Sequence, residues 1–357
     1  MKGRTPAVLQ FIDTWLRPSE QFVHGIVSRL RHSGVVVSRL PVENVDRFPF
    51  QPLVSLDRFC SPLPFRMRRP AVTLSLAAVA TRHRARLIHV HHGYRLHEVM
   101  QAGRLLRAPV VVSLHGHDVT GYVEEHPRIY DGVLDAVSAA VVPSRFLVDL
   151  AVAAGCRPDR VHVIPSGVDT EWFTPSPLPA GPPTVLFVGR FVEKKGIDVL
   201  LQAWPAVRKA VPTARLRLLG YGPLEHLLVG DGVEVQRTPT HLEVRRAMAE
   251  ATVVVSPSRT APDDAVESLL IVNLEAQASG RPVVTTRHGA IPEFVVDGET
   301  ALVVPEADPH RLAEALTAVL VDRELAERLG RAGPGWARRF DVRDCAARID
   351  ELYDSVL

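Results

Sequence analysis

The chain has 357 residues, 46% of them hydrophobic and 23% charged, which excludes a disordered protein and predicts two domains rather than one. Cys60, Cys156 and Cys345 are too scattered for a disulfide framework or a zinc site. The net charge of +2 hides an asymmetry, because residues 1–110 carry 17 Lys and Arg against 6 Asp and Glu while the remainder carry 25 against 34.

That basic first part favours an anionic partner. No helix-turn-helix, zinc or aromatic-stacking signature accompanies it, so nucleic acid is not expected, and an anionic membrane surface or a lipid-diphosphate acceptor fits better. The first residues, MKGRTPAVLQFID, lack the apolar run and cleavage site of a signal peptide. No stretch reaches the roughly eighteen apolar residues of a membrane span. A cytoplasmic location is expected, at the inner face of the membrane if the basic part docks there.

In chain order, Ala7–Phe11, Val35–Leu40, Leu87–Val90, Val110–Leu114 and Ala139–Val142 read as short apolar strands. Between the first two, Phe22, Ile26, Val27 and Leu30 recur at helical spacing. The apolar run AVTLSLAAVA (71–80) lies between FRMRRP and TRHRAR. It is too short to span a bilayer, and suits either a helix buried on the first sheet or an arginine-flanked helix on a membrane surface. The stretch 174–183 holds five prolines and a glycine and reads as an interdomain linker.

Beyond the linker, strands are expected at Thr184–Val188, Arg215–Leu219, Val233–Gln236, Val253–Ser256, Val283–Thr285 and Ala301–Val304. A helix is expected at Pro309–Val321, with Asp308 as N-cap and Pro309 in its first turn. This is an α/β chain with two doubly wound, Rossmann-like domains. The expected division is an acceptor-side domain at 1–173, the linker at 174–183, a nucleotide-sugar domain at 184–338 and a C-terminal segment at 339–357. Within that last segment, the amphipathic residues Asp341–Val356 pack back on the first domain. Ligands of such sheets bind beyond the carboxyl ends of the strands.

Three constellations fall at such ends. In VGRFVEKKGIDVLL (188–201), Gly189 permits close approach of the backbone to a ligand. Arg190 and Lys195 then place two cations beside a helix start, a combination suited to a diphosphate. In ESLLIVNLEAQ (267–277), Glu275 on a helix Ile271–Ala278 can accept both hydroxyls of a ribose. Glu267 in the preceding loop can accept from hydroxyls of a donor sugar, and the N–H groups of Ser268, Leu269 and Leu270 lie where they can face phosphates. In SLHGHDV (113–119), His115, Gly116 and Asp118 follow a strand, and His115 can reach a sugar from the opposite domain. His89 and His91 share a strand face, but no carboxylate or cysteine nearby completes a metal site. No Asp-x-Asp pair occurs, so no metal and no cofactor is expected. Arg190 and Lys195 are left to neutralise the diphosphate.

Together these residues resemble the retaining glycosyltransferases of family four, a GT-B group that includes exopolysaccharide and lipopolysaccharide enzymes. The similarity runs through PSEQF (18–22), HGHD (115–118), VIPSGVDTEWFTP (163–175), GRFVEKKG (189–196), the pair Glu267 and Glu275, and GAIPEFVVDGETALVVPEADP (289–309). PSEQF and DTWLRPSE (13–20) are similar to the colanic-acid-type subgroup with polymeric or lipid-linked acceptors. The resemblance implies two domains facing across a cleft, metal-independent transfer and retention of anomeric configuration. It implies Arg190 and Lys195 on the donor diphosphate, Glu275 on the ribose, Glu267 at the donor sugar and His115 near the reacting centre, with Ser19, Glu20 and Asp118 on the acceptor side. Leu270 stands where the family usually has Gly or Pro, and Arg237 where it usually has Gly.

The expected function is transfer of a sugar from a nucleoside diphosphate to a hydroxyl of a lipid-linked or polysaccharide acceptor. The other readings are a silent nucleotide-sugar-binding partner of an assembly complex, and an epimerase or phosphorylase of the same fold. No G-x-G-x-x-G follows the first strand of either half, which argues against a dinucleotide enzyme.

Overall fold

Runs of β-branched residues such as Val35–Val37, Val110–Val112 and Val253–Val255 are buried almost completely, as strands covered on both faces by helices require. The structure is a computed structural model and describes residues 6–17, 20–261 and 266–357. The first elements are β1 (Ala7–Ile12), α1 (Gln21–Val27), β2 (Ser33–Ser38), β3 (Leu53–Ser55), α2 (Asp57–Cys60) and α3 (Phe65–Arg82). There follow β4 (Ala85–His91), α4 (Leu96–Leu106), β5 (Val110–Ser113), α5 (Gly121–Glu125), β6 (Ala139–Val142), α6 (Phe146–Ala153) and β7 (Val161–Val163).

The second series is β8 (Thr184–Arg190), α7 (Ile197–Ala210), β9 (Arg215–Tyr221), β10 (Val233–Arg237), α8 (His241–Glu250) and β11 (Val253–Ser256). It continues with α9 (Ile271–Ala278), β12 (Val283–Thr286), β13 (Ala301–Val304), α10 (Pro309–Val321), α11 (Arg323–Ala337) and α12 (Val342–Val356). The edge strands β3 and β7 escaped the sequence reading because three residues each are too few to show a period.

All strand pairings are parallel. The sheets run β3-β2-β1-β4-β5-β6-β7 and β10-β9-β8-β11-β12-β13. In each the order reverses beside its first strand, between β1 and β4 and between β8 and β11, and the crevice for a ligand opens beyond the carboxyl ends there.

The chain divides into two units, residues 1–167 with 342–357, and residues 168–341. The last helix belongs to the first unit through its buried face: Val342, Cys345, Ala346, Ile349, Leu352 and Tyr353 join Val8, Ile12, Val23 and Ile26 in one core. A polar seam adds to it. The Tyr353 hydroxyl lies 2.5 Å from His89 Nδ1 and accepts from Gln10 Nε2 at 3.1 Å. His89 Nε2 meets Ser113 Oγ at 2.8 Å, and burial holds the His89 ring neutral, pushed down to about 3.

The Pro-rich stretch 174–183 lies inside the second unit. Buried Arg281 donates to the carbonyls of Ser176 and Pro177 at 2.8 and 3.0 Å and to that of Ala251 at 3.4 Å. Phe173, just before it, is in the core of the same unit. The boundary therefore falls at Gly167/Val168, ahead of the prolines.

Candidate active site

In the second unit β8 ends at Gly189 and exposed Arg190, and a tight turn over Glu193–Lys195 leads to Gly196 and α7. Gly196 has φ +65°, and a Cβ there would sit 1.8 Å from the Pro257 carbonyl oxygen. Only glycine allows the α7 start to approach the segment after β11 this closely. The approach delivers Lys195, whose Nζ donates to Glu267 Oε1 at 2.7 Å. Ser258 Oγ donates to the same oxygen at 3.1 Å.

Glu267 is only 4% exposed. Burial pushes its carboxyl up, but Lys195, Lys194 and the hydrogen bonds from Lys195 and Ser258 outweigh it and hold the group at about 2. Burial pulls the Lys195 ammonium below the ordinary lysine range; Glu267 opposes this, while Lys194 and Arg190 add to it. A desolvated carboxylate thus rests on a cation beside further positive charge, at the sheet's switch point.

The main chain of Glu267 is clamped as well. Its N–H donates to His288 Nε2 at 3.4 Å, and its carbonyl accepts from Ala290 N at 2.8 Å. Between them Gly289, at φ +51°, leaves no room for a side chain, since a Cβ would lie 2.5 Å from the Glu267 carbonyl oxygen. Ser268 and Leu269 are half-buried and Leu270 buried just ahead of α9. Glu275, on α9, is 5% exposed, and its Oε1 lies 3.8 Å from His241 Nε2. His241 stacks on Trp172 at 5.4 Å, and the Arg245 guanidinium sits over that indole.

The first unit holds the histidine loop. Asp118 is fully buried; its Oδ2 accepts from His115 N at 2.7 Å and its Oδ1 from Gly93 N at 2.8 Å. Burial raises the Asp118 carboxyl, but His92 and His115 together outweigh it and hold the group at about 2. His92 takes φ +71°, with Nδ1 3.5 Å from Asp118 and Nε2 3.9 Å from Glu20. Burial lowers the His92 ring, yet Asp118, Glu20 and Asp13 lift it above the ordinary histidine value. Burial, reinforced by His92, drives His115 well below that value, so His115 is the neutral ring. Asp118 therefore orders two loops. Glu20 is half-buried, and Ser19 lies outside the described residues.

The sequence reading gave no role in the site to His92, Lys194, Ser258, His288 or Glu306. Their weak signal is position: Lys194 and Glu306 lie inside motifs that were read, and His288 directly precedes one.

The profile described as "Glycosyltransferase Family 4" matches residues 19–172, and that described as "Glycosyl transferases group 1" matches residues 182–322. A GDP-mannose-dependent alpha-(1-6)-phosphatidylinositol monomannoside mannosyltransferase of Mycolicibacterium smegmatis is 31% identical over 269 residues, 68% of this chain and 69% of that protein. The chain belongs to glycosyltransferase family four. A putative colanic acid biosynthesis glycosyltransferase of Escherichia coli is 35% identical over 174 residues, 46% of this chain and 43% of that protein. In fold, the chain is similar to Anabaena HepE, solved with UDP-glucose, at a TM-score of 0.76 and 19% identity, covering 98% of this chain and 99% of the other.

Membership of family four makes this a glycosyltransferase, built as two Rossmann-like units of GT-B type. The matched ranges of the two family profiles contain the candidate site residues, Glu20, His115 and Asp118 in the first unit and Arg190, Lys195, Glu267 and Glu275 in the second. Among the described residues no helix is long and apolar enough to cross a membrane.

Proposed function

We propose that the protein transfers a hexosyl group, with retention, from a nucleoside-diphosphate sugar to a hydroxyl of a lipid-linked saccharide. The observation that carries this reading is the 2.7 Å Lys195–Glu267 pair at the switch point of the second sheet. Lys195 and Arg190 take the charge that develops on the departing diphosphate, an effect that acts in the transition state more than in the ground state. The N–H groups ahead of α9, from Ser268 to Leu270, add dipoles to that phosphate site. With two cations in this role, the reaction runs without a divalent metal or other cofactor.

Glu267 accepts from hydroxyls of the donor sugar, and its low pKa keeps it an acceptor throughout the working range. It is tied to Lys195, so it serves as a charge partner and anchor rather than as a proton acid. Glu275 holds the ribose. His115, kept neutral, donates to or accepts from a sugar hydroxyl, with His92 and Asp118 supporting it, and Ser19, Glu20 and Asp118 serve the acceptor side. The acceptor hydroxyl attacks from the face the diphosphate leaves, and its proton passes to a diphosphate oxygen.

The relative from M. smegmatis carries GDP-mannose and a phosphatidylinositol glycolipid in its name, which supports an NDP-hexose donor and a lipid acceptor. The surplus of arginine in residues 1–110 supports docking on an anionic membrane.

Calorimetric titration with UDP, GDP and ADP, with EDTA present, in the wild type and Lys195→Ala, tests the donor site. Binding of one nucleotide, lost in the variant, is expected. Transfer to lipid-linked saccharide followed by NMR of the new anomeric centre tests the rest. No nucleotide binding, release of free sugar instead of transfer, or an inverted product overturns the reading.

A further inference from the structure

His288 is 4% exposed, yet both of its ring nitrogens are engaged. Nδ1 lies 3.1 Å from Glu306 Oε2, and Nε2 lies 3.4 Å from the Glu267 N–H. A carboxylate can only accept and an N–H can only donate. The neutral ring with its proton on Nδ1 is therefore the one form that satisfies both neighbours. Glu306 is itself anchored, accepting from Thr260 N at 2.6 Å and from Thr260 Oγ1 at 3.1 Å. A single file of hydrogen bonds thus runs from Thr260 through Glu306 and His288 to the main chain of Glu267, whose side chain continues to Lys195.

We infer that His288 is a positioning residue of the transferase, and that with Glu306 it fixes the main chain of Glu267 so that the carboxylate faces the donor sugar. The inference rests on the role proposed above for Glu267. Placing that carboxylate requires hold on three points. The side chain is held by Lys195 and Ser258, the carbonyl by Ala290, and the amide by His288. Acid weakens the last of these. A second proton on the ring turns Nε2 from acceptor to donor, aimed at an N–H. Among the described residues the charged groups that face the ring are Glu306, Glu267 and Lys194. Burial lowers the His288 pKa below its ordinary 6.5, with the two carboxylates opposing and Lys194 assisting. The arm should therefore stay intact at neutral pH and be lost only below the ordinary histidine range.

The test compares the full-length wild type with H288N, H288Q and H288A, reading amide hydrogen exchange at Glu267 alongside transfer kinetics. In place of the ring, the asparagine amide nitrogen falls near Nδ1 and keeps the bond to Glu306. The glutamine oxygen falls near Nε2 and keeps the bond from Glu267. H288N is expected to exchange the Glu267 amide about tenfold faster and to lose about tenfold in kcat, with KM for the donor little changed, the scale of one lost hydrogen bond. H288Q is expected to restore most of both and to lack the wild type's acid loss of kcat. Unchanged exchange at Glu267 in H288N, or H288Q as impaired as H288A, overturns the relay. Exchange that responds as described in a protein that transfers no sugar upholds the relay geometry and overturns the proposed function instead.

Discussion

Lys195 and Glu267 meet at 2.7 Å, with the glutamate side chain 5% exposed and the lysine side chain 17% exposed. Burying such a pair is costly, and taking one partner away leaves an uncompensated charge. Lys195→Met should therefore act on stability as well as on turnover. The loss should reach up to about 3 kcal/mol, the low end of the range for buried pairs because Lys195 keeps some access to water. Turnover should fall at least about a hundredfold, the scale of one lost transition-state donor.

The same pair sets an acid dependence. The folded-state pKa of Glu267, about 2, lies below its ordinary 4.5. Its contribution to stability is complete above the ordinary value and is lost as pH falls through about 2. Removing the ammonium lets burial push the carboxyl up. Acid unfolding of Lys195→Met, followed by circular dichroism, should have its midpoint at higher pH than the wild type. An unmoved midpoint would show that the pair contributes nothing to stability.

Gly289 and Gly298 provide an internal control. Both lie in the left-handed region, at φ +51° and +73°, but a Cβ on Gly289 meets the Glu267 carbonyl oxygen at 2.5 Å while one on Gly298 meets nothing within 4 Å. Each alanine costs about 1–2 kcal/mol in backbone conformation. Only Gly289→Ala also displaces Glu267. Its turnover should fall at least about tenfold, the effect of slightly misplacing a reacting group, whereas Gly298→Ala should match the wild type in kcat. Equal kcat in the two variants would separate the Gly289 turn from the chemistry.

These relationships show where the sequence was readable. Parallel strands buried on both faces appear as runs of valine, so the main strands of both sheets could be placed before any coordinates. Lys195, Glu267 and Glu275 could be picked out because strand ends and helix starts are local features. The pairing of Lys195 with Glu267 was not legible, because it depends on Gly196 packing against Pro257, a contact between distant segments. His288 and Glu306 were hidden for the same reason: they are 18 residues apart and meet only after β12 and β13 pair. The boundary at Gly167/Val168 was hidden because proline content marks an absence of regular structure, and not which core a segment joins.

Arg281 is one of the ties that hold the proline stretch in the second unit, beside the Ser176 N–H bond to the Ser279 carbonyl and the packing of Leu178. Its guanidinium donates to carbonyls of Ser176, Pro177 and Ala251, and burial alone lowers its pKa to about 10. Lysine cannot reproduce a fork of donors, and methionine leaves three carbonyls without this donor. Either substitution should cost about 2 kcal/mol or more through unsatisfied buried acceptors. Thermal melts should show this loss while nucleotide affinity at the remaining folded fraction stays the same. A Tm equal to that of the wild type would mean that water replaces the guanidinium.

Helix α3 carries the prediction for membrane docking. Val72, Thr73, Leu76 and Ala80 face the core of the first unit, while Met67, Pro70, Leu74 and Ala78 form an exposed stripe on another face. Within it Met67 and Leu74 are 50% and 63% exposed, and Phe59 on α2 and Phe65 at the start of α3 are exposed as well, at 67% and 84%. Arg66, next to Met67 on α3, and Arg58 on α2 are exposed. An apolar stripe edged by arginines suits the interface of an anionic bilayer, where each basic residue adds about 1 kcal/mol. Co-sedimentation with vesicles containing phosphatidylglycerol should recover the protein, and pure phosphatidylcholine vesicles should not. Met67→Ser with Leu74→Ser should weaken binding at every salt concentration, because apolar burial is not screened. Arg58→Glu with Arg66→Glu should weaken it chiefly at low salt, where the Debye length is long. Equal recovery on both vesicle types would remove the arginines from the account, and wild-type recovery for the serine variant would remove the stripe.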